Sequence, residues 1–573
     1  MSFTPPAAEQ RFVLDHIAGI AELAESERFA EASSDMVDAI LEGIGQLAAN
    51  EWAPLNRVGD AIGAKLTEEG VVMPPGFAEA YRAYVEGGWN AIAAPAEYGG
   101  QGLPFALAIA VLESLGSANM ALSLCPMLSV GAIEALTHHG SDELKRLYLA
   151  KLVSGEWPGT MNLTEPQAGS DVGALKTRAQ PADDGGWRIT GQKIFITFGE
   201  HDMADNIVHL VLARTPGAPE GTKGISLFLV PRYRLDADGA PAEANDVRCV
   251  SLEEKLGIHA SPTCVMSYGD EGDCHGWLIG EENGGMRAMF TMMNNARLNV
   301  GLQGVQIGER ATQQAVAFAR ERIQSARAGA ETRDPVAIIE HPDVRRMLLR
   351  MKALTMAARA LVYYAAGQVD RATLGDADAK ARVELLTPLA KGYGTDIGCE
   401  VASLGIQVHG GMGYVEETGA AQHFRDARIA PIYEGTNGIQ AADLVGRKLG
   451  LAGGEAVRSL LADIAADADG EPTLAVLHAD CSVVAERLAG AGAEDRLAAS
   501  YPFLTMLATL TCGWRLANQA RIAEGGDGEF MRMKHAGCRF YLDQLLPEAS
   551  GLKAAATADA DILYAVDGAA FAA

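Results

Sequence analysis

The sequence predicts a mainly α-helical protein with a small β-domain at its centre and a further helical region at its end. Three observations carry this. Apolar residues recur at helical spacing up to Trp157, alternating β-branched segments follow, and helical spacing returns after Gly285 and holds to the C-terminus. The 573-residue chain has 48% hydrophobic and 21% charged residues. At roughly 100–200 residues per domain, that length allows three or four globular domains with a large core.

Residues 1–48 read as an N-terminal helical extension, with Phe12, Val13, Ile17, Ile20 and Leu23 and then Met36, Val37, Ile40 and Leu41 on helical faces. Residues 49–156 continue as an all-helical domain, interrupted by the turn signals Pro95 and 98–102, Tyr-Gly-Gly-Gln-Gly. The apolar stretch 103–136 is broken by Glu113, Asn119 and Glu134, so it reads as paired buried helices and not as a membrane span. Residues 157–280 read as a small β-barrel or sandwich, with strands at 186–197, 206–214 and 224–231 separated by Gly, Pro and Asp. Residues 281–450 read as a helix bundle with its strongest periodicity at 286–325, 342–371 and 379–408. Gly450, Gly453 and Gly454 lead into a C-terminal helical domain, 451–573.

Charge and cysteine usage exclude several functions. A formal charge of −27 argues against nucleic acid, because phosphate backbones need a basic face. The eight cysteines show no CxxC spacing, which removes zinc and thioredoxin-like readings and fits a cytoplasmic protein with reduced thiols. The N-terminus lacks the basic start and apolar run of a signal peptide.

The chemistry concentrates in four places. In 161–171, Met-Asn-Leu-Thr-Glu-Pro-Gln-Ala-Gly-Ser-Asp, Pro166 and Gly169 force an irregular loop that can offer backbone N–H groups and the Thr164 and Ser170 hydroxyls to a heterocycle or a phosphate. Phe195 and Thr197, two apart on a strand, suit stacking plus one hydrogen bond to a flat ring, although on spacing alone they are ordinary strand residues. Arg320 and Arg322 end a long helix, where cations are favoured anyway, and Arg is also the natural pyrophosphate ligand. In 405–414, Gly410 and Gly411 allow close backbone approach at a helix end, and His409 reads as a structural histidine. Around these lies 427–440, with Glu434 between Tyr433 and Gly435. A lone Glu-Gly is ordinarily a solvated loop acid, and it is the company of the other clusters that makes Glu434 a candidate base.

Taken together these segments resemble the acyl-CoA dehydrogenase family. The runs LTEPQAGSD, WRITGQKIFITFG, KLGIHASPTC, QVHGGMGY and IYEGT, with the Arg297 helix, stand in the family's order over residues 50–450. The long chain resembles a bacterial branch that includes 3-(methylthio)propanoyl-CoA dehydrogenases. The resemblance implies a fold of helical domain, β-domain and helix bundle, FAD as cofactor, and α,β-dehydrogenation of an acyl-CoA thioester. It implies Glu434 as the catalytic base. It implies FAD contacts from Leu163, Thr164, Gly169, Ser170, Phe195, Thr197 and Thr436. Across a subunit interface it adds Arg322, Gln407, Gly410 and Gly411. Substrate contacts are implied for Ser170, Asn294, Arg297, Tyr433 and Gly435.

The segment also departs from the family's pattern. Ile323-Gln324-Ser325 follow the helix arginine where Lys/Thr-Phe-Gly is usual. Asn294 stands for a common Asp, Gly438 for a common Gln, and His259 for a frequent Arg. An alternative base position on the Arg297 helix is occupied here by Ala296, which cannot act. Electron-transferring flavoprotein is the implied acceptor and a homodimer the implied assembly. The competing readings are an acyl-CoA oxidase of the same fold using oxygen and, more remotely, a non-catalytic or DNA-damage-response flavoprotein.

Overall fold

The computed structural model describes residues 3–573; the side chains of Thr291, Met292 and Asn294 lie outside the described residues. The chain divides into two compact units, residues 39–296 and residues 3–38 together with 297–573.

Within 39–296 the helical part is built on α1 (Phe105–Ala118) and α2 (Met120–His139), whose side chains are almost all buried. Asn119 separates them. Its backbone is extended, and its Oδ1 accepts from Leu122 N–H at 3.1 Å, capping α2. α2 is long and apolar enough to cross a membrane, but most of it is buried inside the protein, as the paired-helix reading expects. The expectation of an all-helical first third needs one correction. Lys65–Thr67 and Gly70–Val72 form an antiparallel hairpin. Gly70 there has φ +117°, and Thr67 Oγ1 both accepts from Glu69 N–H and donates to the Gly70 carbonyl. A side-chain turn of this kind competes with helix formation.

The main sheet of the β part has eight strands: β1 (Gly159–Asn162), β2 (Arg178–Pro181), β3 (Trp187–Thr197), β4 (Val208–Ala213), β5 (Ser226–Pro231), β6 (Val247–Leu252), β7 (Thr263–Tyr268) and β8 (His275–Ile279), and Tyr233–Leu235 pairs separately with Pro241–Ala244. Their order is β6-β7-β3-β8-β5-β4-β1, with β2 on β3. The expected barrel is therefore not closed, since β6 and β1 are unpaired ends of this path. The reason lies in β8. His275 and Gly276 pair with β3, whereas Trp277–Ile279 pair with β5, so β8 leaves one half-sheet for the other. A strand that switches sheets makes a sandwich-like corner where a barrel would continue round. Ile189, Ile196, Val211, Phe228, Val230 and Met266 fill the space between the layers.

The other unit is helical. α3 (Gly285–Glu321) carries the chain into it at Arg297, and α4 (Pro342–Thr373) and α5 (Ala377–His409) complete the bundle. Asp376 caps α5, accepting from Asp378 and Ala379 N–H at 2.9 Å each. α3 and α5 touch backbone to backbone. A Cβ on Gly304 would lie 1.8 Å from the Gly394 carbonyl oxygen, one on Gly301 2.6 Å from that of Ala390, and one on Gly398 2.7 Å from Gly304 Cα. Only glycine permits such an approach. α6 (Asn437–Gly446), α7 (Glu455–Asp467), α8 (Pro472–Gly490), α9 (Ala493–Glu524) and α10 (Gly528–Phe540) follow.

Residues 3–38 pack against α4 and α10. A Cβ on Gly367 would meet the Ala18 carbonyl at 2.6 Å. Buried Glu9 binds the fully buried Lys534 ammonium at 2.5 Å, with Lys352 at 3.8 Å, and Arg359 binds Glu309 at 2.8 Å nearby. Burial raises the pKa of Glu9, but Lys534, Lys352 and Arg359 outweigh it and pull the carboxyl down to about 2.

Candidate active site

In the unit 39–296, the loop after β1 is held by one carboxylate that serves structure. Glu165 Oε1 accepts from Lys193 Nζ at 2.8 Å, Thr177 Oγ1 at 2.6 Å and Thr177 N–H at 3.0 Å. Its Oε2 accepts from Lys176 N–H and Gln167 Nε2, both at 2.6 Å. Lys193, fully buried on β3, also donates to the Leu163 carbonyl at 3.1 Å. The desolvation that would raise the Glu165 pKa is overridden by Lys193 first and then by these hydrogen bonds, which leaves it at about 2 and ionised. Sequence reasoning missed Lys193. The available signal was a lysine among Ile194, Ile196 and other apolar strand residues.

Around this anchor the hydroxyls of Thr164, Ser170 and Thr197 find no hydrogen-bond partner among the described residues, and nothing stands within 4 Å of a Cβ built on Gly169. Phe195 is 57% exposed at φ +60°. Here the strand is irregular: Cys264 faces Ile196 but Met266 faces Lys193, so β3 carries an extra residue against β7. This bulge displaces the alternation from which Phe195 and Thr197 were placed on one face, and it turns the aromatic outward. An exposed aromatic beside unspent hydroxyls fits the edge and face of a flat polar heterocycle such as a flavin.

In the unit containing 297–573, the loop before α6 holds Glu434 at φ +55° and Gly435 at φ +86°. Two left-handed residues in succession fold the chain sharply, and the non-glycine one is costly. The loop is held on both sides. Tyr433 N–H donates to the Ile429 carbonyl at 3.2 Å and Asn437 N–H to that of Pro431 at 3.0 Å. Gln440 Nε2 donates to the Gly435 carbonyl at 3.2 Å. A Cβ on Gly435 would come within 2.8 Å of that same nitrogen, which would have to swing away, and the left-handed φ is what favours glycine here. The Tyr433 hydroxyl donates to Gln303 Oε1 on α3 at 2.5 Å.

Two cations act on the Glu434 carboxylate. Burial raises its pKa, and Arg297 and Lys391 oppose that rise. Arg297, 7% exposed on α3, lies 4.0 Å from Asp443, and its Nε finds no partner among the described residues. Lys391 is fully buried on α5; burial lowers its pKa to about 7 against the attraction of Glu434 and Asp396. A carboxylate whose pKa burial has raised is a stronger base towards a weak carbon acid than a solvated one. Lys391 was not foreseen. It sits in the run Leu-Ala-Lys-Gly, where a charge in an apolar stretch is usually a solvated one.

The remaining positions are more peripheral. Arg322 is exposed just past the end of α3, near Gln324 Oε1 at 3.2 Å. Gln407, Gly410 and Gly411 are exposed at the end of α5, and a Cβ on either glycine would meet nothing within 4 Å. Thr436 caps α6, its Oγ1 accepting from Ile439 N–H at 3.2 Å, so part of its capacity is already spent. His409 stacks on Phe318 with centroids 4.4 Å apart and hydrogen-bonds the Gly405 carbonyl at 2.7 Å, as a structural histidine does. The side chain of Asn294 lies outside the described residues.

Patterns of the acyl-CoA dehydrogenase N-terminal, middle and C-terminal domains match residues 34–156, 160–270 and 283–449, and an acetyl-CoA dehydrogenase C-terminal-like domain matches 460–567. The chain belongs to the acyl-CoA dehydrogenase family. It is 47% identical to the 3-methylmercaptopropionyl-CoA dehydrogenase of Ruegeria pomeroyi, over 96% of this chain and 97% of that one. It is 34% identical to a butyryl-CoA dehydrogenase of Syntrophomonas wolfei, over 92% and 93%. Among solved structures, an acyl-CoA dehydrogenase of Bacillus anthracis complexed with FAD shares the fold at TM-score 0.75 and 22% identity, over 93% of this chain and 91% of that one. The protein is thus an oxidoreductase of this family, carrying out FAD-dependent dehydrogenation of an acyl-CoA.

Proposed function

We propose that Glu434 removes the Cα proton of a short acyl-CoA, with 3-methylmercaptopropionyl-CoA as the first candidate, and that the electrons leave to electron-transferring flavoprotein. The observation that carries the base assignment is the setting of Glu434: a strained loop residue whose protonation is poised between burial and two cations. The substrate class is supported by the 47% identity, over nearly the whole of both chains, to a relative named for that thioether substrate.

The α-proton of a thioester is weakly acidic, so the developing enolate oxygen needs donors. The Glu434 backbone N–H, presented by the Glu434-Gly435 turn, is one such donor. An oxyanion-type donor is worth about 3–4 kcal/mol in the transition state. Arg297 and Tyr433 line the same loop and position the acyl chain, with Ser170, Asn294 and Gly435 as further substrate contacts. Leu163, Thr164, Gly169, Ser170, Phe195, Thr197 and Thr436 would hold FAD, which when bound accepts the hydride from Cβ. In a homodimer, Arg322, Gln407, Gly410 and Gly411 would reach the cofactor of a partner subunit. The exposed Met412, Tyr414 and Val415 beside them support an interface there. Reduced thiols in the cytoplasm suit the eight unpaired cysteines.

The test is anaerobic flavin bleaching by butyryl- to palmitoyl-CoA and by 3-methylmercaptopropionyl-CoA. Wild type should bleach fastest with the shortest chains and the thioether substrate. Glu434→Gln protein should remain yellow and fail to bleach with any of them. Bleaching by the variant at the wild-type rate overturns the base assignment; preference for palmitoyl-CoA overturns the substrate assignment. Reoxidation faster with electron-transferring flavoprotein than with air supports the acceptor, and the reverse makes the enzyme an oxidase.

A further inference from the structure

The C-terminal helices reach the catalytic loop through side chains. Tyr501 on α9, 38% exposed, donates its hydroxyl to Asp396 Oδ2 at 2.6 Å. Asp396 Oδ1 accepts from Asn437 Nδ2 at 2.9 Å, and Asn437 Oδ1 accepts from Lys391 Nζ at 2.9 Å. Asn437 Nδ2 also donates to the Gly392 carbonyl and to Thr395 Oγ1, both at 3.0 Å. An ammonium only donates, so Oδ1 must face Lys391, and the amide has one workable orientation. An unbroken line of side chains therefore runs from the rim of the C-terminal extension to the cation beside Glu434.

We propose that this line is a tuning device: Tyr501, acting through Asp396 and Asn437, keeps the Lys391 ammonium charged and in place, and Lys391 thereby controls when Glu434 is free to take a proton. The proposal rests on the reading of Glu434 as the base. Lys391 and Tyr501 are positioning residues; neither is assigned a contact with substrate.

The signs along the line agree. Burial pushes the Asp396 pKa up, and the Tyr501 and Asn437 hydrogen bonds hold it down, favouring the ionised form. Burial pushes Lys391 towards neutrality, and the charges of Glu434 and Asp396 resist it. Lys391 in turn resists the rise that burial imposes on Glu434. Among the described residues of this unit, the other groups around the base are Arg297 on α3 and Tyr433 in the loop. Asp443 on α6 and Arg447 just past its end act on Arg297, and Arg428 acts on Asp396.

The experiment is the pH profile of single-turnover flavin reduction, measured on holoenzyme for wild type, Lys391→Met, Tyr501→Phe and Glu434→Gln. Lys391→Met should move the acidic limb to higher pH by about one unit, about tenfold in rate below the limb. Tyr501→Phe should move it the same way by less, keeping the alkaline plateau. A lowered plateau with the limb unmoved would reduce the network to scaffolding and overturn the proposal. Should Lys391→Met fail to fold, the half-exposed Tyr501→Phe decides alone, because an unmoved limb there has the same meaning. Glu434→Gln separates the two readings. If it still reduces flavin, the base assignment is wrong; if it is inactive at every pH while the other limbs stay put, only the tuning proposal is wrong.

Discussion

Replacing Glu9 by Gln tests what ties the N-terminal helix Ala7–Val13 to α4 and α10. The Glu9 carboxylate meets the Lys534 ammonium at 2.5 Å and Lys352 at 3.8 Å, and neither Glu9 nor Lys534 is appreciably exposed. A carboxyl held at about 2 in place of 4.5 has gained about 3 kcal/mol from its surroundings. Breaking a buried pair costs about 3–5 kcal/mol by the other route, because the surviving ion is left buried. The Gln amide can still accept from Lys534, and the ammonium keeps the Phe12 ring 4.6 Å away, so the lower end of that range is expected. Denaturant unfolding of the first transition gives the number. Glu9→Gln with Lys534→Met should recover at least half the loss, since no lone charge then remains. The sign with pH follows from the depressed pKa: the contribution is whole above pH 4.5 and is lost as pH falls towards 2, and Glu9→Gln should flatten stability over that window. A loss under about 1 kcal/mol, or a double variant as weak as the two singles combined, would refute the reasoning.

Other outcomes follow from the same geometry. Gly304→Val would drive a side chain into the Gly394 carbonyl, so it should cost more than the ~1–3 kcal/mol of ordinary overpacking and leave little soluble protein; expression and thermal melting decide. Lys193→Met removes the ion that pins Glu165 and the Leu163 carbonyl, and it should lower FAD retention on gel filtration, read as the ratio of flavin to protein absorbance, with circular dichroism unchanged. Full retention would show that the loop is held by its backbone alone. Acid unfolding of wild type should begin below pH 4.5, because Glu309 is held at about 2 as well.

Much of this was legible in the sequence because periodicity reports burial on one face. The strand read at 186–197 is Trp187–Thr197, and the helix read at 379–408 is Ala377–His409. β7 escaped notice although β4 and β5, at least as buried, were read from their runs of Val, Leu and Phe; in β7 the Thr, Cys, Met and Ser of Thr263–Tyr268 dilute that apolar signal. The hairpin 65–72 was hidden because Lys65–Thr67 is exposed throughout and too short to carry a pattern. Glu434 was found through its motif company, but Lys391, Asn437 and Asp396 were not. Their roles depend on partners some forty residues away and on Tyr501 beyond a hundred, and no local window holds that information.

The glycine seam between α3 and α5 has a consequence for how this enzyme could diversify. Arg297 lies one turn from Gly301 on one helix, and Lys391 immediately beside Ala390 on the other. With main chain resting on main chain, no side chain at the seam can be exchanged for a longer or shorter one to slide the helices. The spacing of the two cations is fixed like the gauge of a rail track. Changes in acyl-chain preference would fall on residues off the seam and leave the spacing of the two cations beside Glu434 as it is.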